Sequence, residues 1–223
     1  MQPINKLLTI FIITLPLLIS YTTSRGQLIY GEIFGGHEKA QHELLISKSI
    51  DSLGVLSFFN LTYFTIDYED RRTVDPFIYS VVTFNFNPYL GIASGGYMTN
   101  EGFIPIAAIS LQYFNKKGDL YLNVFPTIEL TRETNYEMFG LVVYNPKLSK
   151  KLKLFTQATF STNFNFQQHN FSFQQIRLGL DYNDFQFGIG ADTQIPTFTD
   201  PITNDLITEV NPNIGLFLRK TFQ

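Results

Sequence analysis

The stretch Gln175–Ala191, which reads QIRLGLDYNDFQFGIGA, decides the fold. Its apolar and polar side chains alternate with a period of two on both sides of Asn183-Asp184. This period is typical of β-strands, and a two-residue turn between two such arms predicts an antiparallel hairpin. One face of the hairpin carries Arg, Asp and Gln, while the other is apolar and comprises Ile176, Leu178, Leu180, Tyr182, Phe185, Phe187, Ile189 and Ala191.

The composition of the chain excludes several classes of protein. Of its 223 residues only 16% are charged, whereas 23 are Phe and 12 are Tyr. The net charge of -3 provides no basic field, so we expect no nucleic-acid partner. The absence of cysteine excludes disulfides, thiolate catalysis, a thiolate metal site and a cysteine-linked lipid anchor.

Residues 1–26 have the pattern of a secretory signal. Lys6 precedes the apolar run Leu7–Ile19, and the small residues Ser24 and Gly26 predict cleavage before Gln27. The alternative is an anchor helix, but about 13 apolar residues fall short of the roughly 20 that a helix needs to span a membrane. No later run is long enough for a membrane helix, so any membrane residence would be through strands or a partner.

The rest of the chain, 27–223, is predicted to form a single domain of alternating strands. We expect an all-β, antiparallel up-and-down transmembrane β-barrel of about 12 strands, within a range of about 10 to 14. The least regular segment is His42–Ile50, for which a short helix over Lys39–Ile46 is an alternative. Pro126 predicts a β-bulge, because proline cannot donate to a strand ladder.

The predicted connections alternate between two classes, which would lie on opposite rims of the barrel. Tight turns are predicted at 51–52, 87–88, 115–118, 145–149 and 183–184. The other class includes the long and charged loops and comprises 36–41, 67–75, 99–102, 132–136, 167–170 and 193–208. Short turns on one rim and longer loops on the other are typical of outer-membrane barrels.

The C-terminal segment Ile214–Phe222, IGLFLRKTF, resembles the closing strand of bacterial outer-membrane β-barrel proteins, with its aromatic residue followed by Gln223. The predicted mature start at Gln27 resembles secreted proteins of the Bacteroidetes type. The resemblance identifies no subfamily. It implies a location in the cell outer membrane after cleavage near Gly26. It also implies contact with outer-membrane lipid and recognition of the C-terminal strand by the barrel-assembly machinery.

A secreted soluble β-barrel or sandwich that binds an apolar ligand is the first alternative, and it would turn the apolar faces inward. The polar faces favour lipid outside instead, because they carry Asn, Gln, Thr, Ser and Gly rather than the Lys and Glu of a solvated surface. Aromatic residues near predicted strand ends also suit a membrane interface.

With lipid outside, the polar faces line the barrel interior. The candidate lumen-lining residues are Glu32, Asn123, Glu129, Lys153, Gln157, Arg177, Asp181, Gln186, Asp192, Tyr121 and Phe125. Such a lumen either carries water or is closed by paired charges. We therefore expect a narrow passive channel for small solutes, with selectivity set by Arg177, Glu129 and Lys153, or a structural barrel without catalysis.

The sequence predicts no enzyme, cofactor or metal site. His37 and His42 are five residues apart, which would not place both rings on one helix face. Asp192, Asp200 and Asp205 are spaced too irregularly for a calcium loop. An outer-membrane lipid hydrolase is the second alternative.

Such a hydrolase would need a serine and a histidine placed together. His169 and Ser172 are near in sequence, but we expect them to be separated by a loop–strand junction.

Overall fold

The computed structural model describes residues 27–69, 74–100, 102–132, 134–200, 203 and 205–222. The predicted signal segment 1–26 lies outside these residues, as do Asp70, Arg71 and Arg72. Among the described residues, no helix is long and apolar enough to cross a membrane. The strands are β1 (Leu28–Gly36), β2 (Lys39–Ser49), β3 (Leu56–Asp67), β4 (Val74–Asn87), β5 (Leu90–Thr99), β6 (Gly102–Phe114), β7 (Leu120–Glu129), β8 (Tyr136–Tyr144), β9 (Leu152–Phe164), β10 (His169–Tyr182), β11 (Phe185–Thr199), β12 (Leu206–Thr208) and β13 (Asn211–Phe222).

The strands form a closed antiparallel barrel. Each strand from β1 to β11 pairs with the next, and β13 pairs with both β11 and β1, which closes the ring. The short strand β12 pairs only with the end of β11 and is not part of the ring. The predicted twelve-stranded up-and-down barrel is therefore confirmed.

The β10–β11 hairpin has the predicted turn. Tyr182 pairs with Phe185, and the two residues between them, Asn183 and Asp184, have φ angles of 52° and 66°. Positive φ at both central residues is the geometry of a type I′ turn, whose twist matches that of the flanking strands. The hairpin is longer than the sequence pattern indicated, because β10 begins at His169 and β11 runs to Thr199.

The predicted loop over 193–208 is wrong, since most of it is β11 and β12. Pro196 is of a residue type that is rare inside strands. It lies in the short interval of β11 between the residues that pair with β13 and those that pair with β12. A proline is tolerated there because no ladder hydrogen bond on that side needs its missing N–H.

The predicted loop over 36–41 is also wrong. Only His37 and Glu38 connect β1 to β2, and β2 is a strand rather than the alternative helix. Its alternate residues Gln41, Glu43 and Leu45 are buried, as the period of a strand requires.

The connections do lie on two opposite rims. One rim, called the turn rim, carries 50–55, 88–89, 115–119, 145–151 and 183–184. The other, called the loop rim, carries 37–38, 68–73, 100–101, 130–135, 165–168 and 200–210. The difference in length is smaller than the sequence indicated, because two loop-rim connections have only two residues and the turn at 51–52 extends over 50–55.

The bulge predicted at Pro126 is wrong as well. Ala108 pairs with Thr127 and Leu111 with Val124, so the register is the same on both sides of the proline. The ladder between β6 and β7 is interrupted without a shift, because proline supplies no N–H. Register shifts occur instead at Asn85/Asn87 and at His169/Phe171.

The barrel wall has an apolar outer face and a mixed inner face. Ile33, Ile189 and Leu216 point outward and are 58–67% exposed. Glu32 and Arg177, each next to an outward residue in sequence, are 1% exposed and point inward. This is the reverse of the arrangement in a soluble barrel, which keeps charged side chains on its surface.

Candidate functional site in the barrel interior

The structure places all of the sequence-predicted lumen residues on inward faces of strands. All except Lys153 are at least 90% buried: Glu32, Asn123, Glu129, Gln157, Arg177, Asp181, Gln186, Asp192, Tyr121 and Phe125. Lys153 lies near the turn rim, where its side chain is 33% exposed. Whether any of them contacts a solute stays a prediction.

Four of the buried charges form a central ion cluster. Glu32 on β1 accepts hydrogen bonds from Arg177 Nε at 2.8 Å through Oε1 and from Arg219 Nε at 2.8 Å through Oε2. Arg177 also pairs with Asp192, and Arg219 Nη1 donates to Gln157 Oε1 at 2.6 Å. Because two cations meet two carboxylates, the charges of these four groups balance, as buried ions require.

Aromatic rings cover both guanidinium groups of the cluster. The guanidinium carbon of Arg219 lies 3.6 Å from the centre of the Tyr30 ring and 4.9 Å from that of Phe155. Arg177 lies 4.2 Å above Phe34. These contacts exclude water from the ion pairs and add cation–π attraction.

A short polar chain extends the ion cluster toward β2 and β9. Tyr30 donates its hydroxyl proton to Glu43 at 2.5 Å and accepts a hydrogen bond from Gln157 Nε2 at 3.1 Å. Gln157 also donates to Thr159 Oγ1 at 3.1 Å. We call the inward faces of β1, β2, β9, β10, β11 and β13 the charged half of the interior.

The inward faces of β3 to β8 form the aromatic half. The ring centre of Phe59 lies 5.2 Å from that of Phe125 and 5.6 Å from that of Phe139. Tyr79 stacks on Phe139 with ring centres 5.6 Å apart. These four side chains are 0–2% exposed and pack as a cluster of rings, beside buried polar residues of the same half such as Asn123, Glu129 and Glu137.

Each rim carries a polar group centred on one carboxylate. At the turn rim, Asp181 lies 3.6 Å from Lys153 Nζ and accepts hydrogen bonds from Asn145 and Gln186, both at 3.1 Å. Toward the loop rim, Glu129 accepts hydrogen bonds from three side chains: Tyr97 at 2.5 Å, Asn163 at 2.6 Å and Asn135 at 2.8 Å.

Two charged residues in the network around Glu32 and Tyr30, Arg219 and Glu43, were missed in the sequence. In the sequence, Arg219 is out of phase with the apolar alternation of Ile214, Leu216 and Leu218, so its position in the strand already indicated an inward side chain. Glu43 lies in the segment with the weakest alternation, and no signal in that segment singled it out.

The three acidic residues considered for calcium do not form one group, because Asp192 lies apart from Asp200 and Asp205, which are adjacent, with the Asp200 N–H donating to the Asp205 carbonyl at 2.8 Å. Asp192 pairs with Arg177 inside the barrel, whereas Asp200 follows β11 at the loop rim. They are eight residues apart along extended chain, or about 27 Å at about 3.4 Å a residue. His37 and His42 are both exposed.

The expected separation of His169 and Ser172 is wrong. His169 is the first residue of β10, and its Nε2 lies 2.7 Å from Ser172 Oγ. By strand pairing both residues belong to the outer face of the barrel, since His169 pairs with the exposed Phe164, but Ser172 itself is only 9% exposed.

Comparisons with known proteins give only distant likenesses. No family model and no curated protein matches the chain. Among solved structures, the NanC porin is 11% identical, with a TM-score of 0.48 over 89% of this chain and 100% of that chain. The outer-membrane protein OmpT of Vibrio cholerae, in its trimer form, is 9% identical, with a TM-score of 0.35 over 88% of this chain and 98% of that one.

Proposed function

We propose that the chain is a membrane-spanning barrel of the bacterial outer membrane that acts as a closed, structural barrel and not as an open pore. The observation that carries this proposal is the division of side chains across the wall. Large apolar residues are exposed all around the outer face, while charged groups are enclosed. A surface of this kind is stable in hydrocarbon and would aggregate in water.

The size of the strands supports the same placement. A strand of about 10 residues, rising about 3.4 Å a residue and tilted about 45°, crosses about 24 Å. This distance matches the apolar band of outer-membrane barrels, which is about 25 Å tall. The strands of the ring contain 9 to 15 residues.

The burial of the inward side chains supports the closed state. Arg177 and Arg219 in the charged half, and Tyr79 and Phe125 in the aromatic half, are 0–1% exposed. Water that filled a path past these residues would give them accessible surface. This burial supports a barrier at this level of the interior.

We also propose two partners for the barrel. Outer-membrane lipid would cover the apolar outer face, and the barrel-assembly machinery would recognise β13, which ends in the exposed residue Phe222. The Bacteroidetes type rests on the start at Gln27 alone. The acidic net charge of -3 offers no surface for nucleic acid.

A narrow passive channel for small solutes is the second candidate. It is favoured by the polar side chains that continue along the charged half from the Asp181 group at the turn rim to the Arg177–Asp192 pair. Such a channel would need the central ion cluster to rearrange.

The first experiment follows the full chain in isolated outer membranes. A closed barrel resists dodecyl sulfate until it is heated, so we expect a mobility shift on boiling. A band in the soluble periplasmic fraction without a shift would contradict membrane placement.

Planar-bilayer recordings then separate the two functions. The closed barrel predicts no unitary conductance for the wild-type chain. Stable conductance steps whose ion preference changes in Arg177→Gln, but not in the turn variant Lys117→Gln, would establish the channel instead.

A further inference from the structure

We propose that Ser172 and His169 form a nucleophile–base pair on the outer wall that hydrolyses acyl esters of the lipid around the barrel. This inference rests on the proposed membrane placement for the identity of its substrate. It does not involve the barrel interior.

The geometry is that of an activated serine. His169 Nε2 lies 2.7 Å from Ser172 Oγ, and His169 Nδ1 lies 3.0 Å from Thr197 Oγ1 on β11. Thr197 Oγ1 lies 3.1 Å from Thr208 Oγ1 on β12. A nucleophile in hydrogen-bond reach of a base, with the base held by a third group, is the arrangement used in nucleophilic catalysis.

The hydrogen bonds select one arrangement of protons. If Ser172 donates to Nε2, the histidine proton is on Nδ1 and is donated to Thr197 Oγ1. Thr197 then donates its own proton to Thr208. The short strand β12, which takes no part in the ring, thus helps to hold the imidazole that faces the serine.

A β-bulge brings the pair together. His169 and Ser172 are three residues apart, a spacing that would put them on opposite faces of a regular strand. The register shift between His169 and Phe171 leaves Asn170 as an extra residue, so both side chains lie on one face. This is the outer face, because Ile176 and Leu178 continue it and are exposed.

The depth of the pair on the wall fits a lipid ester. Ser172 is ten residues from Tyr182 at the turn rim, which corresponds to about 24 Å across the membrane for a strand tilted about 45°. That is about the height of the apolar band, at whose boundary the ester groups of lipids lie. Below the pair, the exposed side chains of Ile176 and Leu178 offer an apolar surface to an acyl chain.

The reaction is balanced with water as the second reactant. Ser172 Oγ attacks the ester carbonyl carbon while its proton passes to His169 Nε2, and the alcohol leaves with that proton. Water then attacks the acyl-serine through the same base. The carboxylic acid leaves and the proton returns to Ser172 Oγ, which restores the pair.

The test uses the full chain, purified in detergent, with a fluorophosphonate probe and peptide mass spectrometry. We expect covalent labelling of Ser172, and background labelling in Ser172→Ala and His169→Ala. Ser94→Ala is the matched control, because Ser94 also lies on the outer face but donates to the Ile106 carbonyl, at 3.4 Å, rather than to a histidine. It should keep the full labelling.

Hydrolysis is measured with p-nitrophenyl butyrate and with a phosphatidylcholine bearing a fluorescent acyl chain in mixed micelles. We expect His169→Ala to reduce the rate by about 10²–10⁴-fold. Turnover of both substrates supports lipid hydrolysis, whereas turnover of the soluble ester alone would overturn the lipid as substrate.

The heat-dependent gel shift checks that each variant is folded. If the wild-type chain shows the heat-dependent shift but is not labelled by the probe, the hydrolase proposal is wrong and the barrel proposal stands. A labelled chain that is found in the soluble fraction overturns membrane placement and keeps the serine nucleophile.

Discussion

The charged and aromatic halves of the barrel interior both exclude solvent, but they are stabilised by different interactions. Phe59, Tyr79, Phe125 and Phe139 contact one another through rings that tolerate a range of angles, from 16° to 80° between planes. Arg177, Glu32 and Arg219 depend on directed bonds of 2.5–2.8 Å. A lost ring leaves a cavity, whereas a lost carboxylate leaves an unpaired buried charge.

The largest expected effect comes from breaking the charged half at its centre. Glu32→Ala leaves Arg219 without a carboxylate and Arg177 with Asp192 alone, and we expect a loss of about 4 kcal/mol in the free energy of unfolding. Denaturant titration of the barrel in micelles measures it. Glu38→Ala, in the exposed β1–β2 turn, is the control and should change stability little. Equal losses in both variants would contradict a stabilising role of the cluster.

A somewhat smaller effect is expected in the aromatic half. Phe139→Ala removes a fully buried ring that contacts Phe59, Tyr79 and Phe125, at a cost of about 3 kcal/mol. Phe139→Leu refills most of the volume and should recover most of the loss. Glu32→Gln keeps the shape of the side chain but not its charge. If it lost as little free energy of unfolding as Phe139→Leu, the charged half would not depend on charge in the way proposed.

The smallest effect is expected in the 50–55 turn, outside both halves. The pKa of Asp51 is lowered because its carboxylate accepts backbone hydrogen bonds from Leu56, Val55 and Leu53. A lowered folded-state pKa stabilises the protein above the unfolded value of about 3.9. This contribution is lost as the pH falls through the folded-state value.

Asp51→Asn should therefore be slightly less stable than wild type at pH 6, and the difference should shrink at pH 3. Denaturant midpoints at both pH values measure this difference in stability. Asp119→Asn, the same substitution in another turn, is the comparison variant. A difference that is independent of pH would show that the charge of Asp51 does not matter.

The faces of the barrel could be predicted from sequence, but the partners across it could not. Alternation in a single strand is a local property, and it assigned Glu32, Arg177 and Asp192 to the interior. The bond between Arg219 and Glu32 joins residues 187 positions apart and depends on how the last strand registers against the first. The pattern of residues within a single strand does not determine that register.

The outer-wall pair shows a different limit. In a regular strand His169 and Ser172 would lie on opposite faces. The extra residue Asn170 in the β-bulge places both side chains on the same face. The sequence around Asn170 lacks the glycine or proline that would have marked the irregularity. The bulge predicted at Pro126 failed for the opposite reason, since there a conspicuous residue interrupts the ladder and leaves the register unchanged.

The closing seam between β1 and β13 has a consequence for biosynthesis. Ile29 pairs with Phe222, so the first strand made is completed by the last. A chain that stops before β13 leaves Glu32 without Arg219 and β1 with an open edge, and lipid tolerates neither. In the proposed membrane setting we therefore expect truncated chains not to insert stably, so that insertion would select completely synthesised chains.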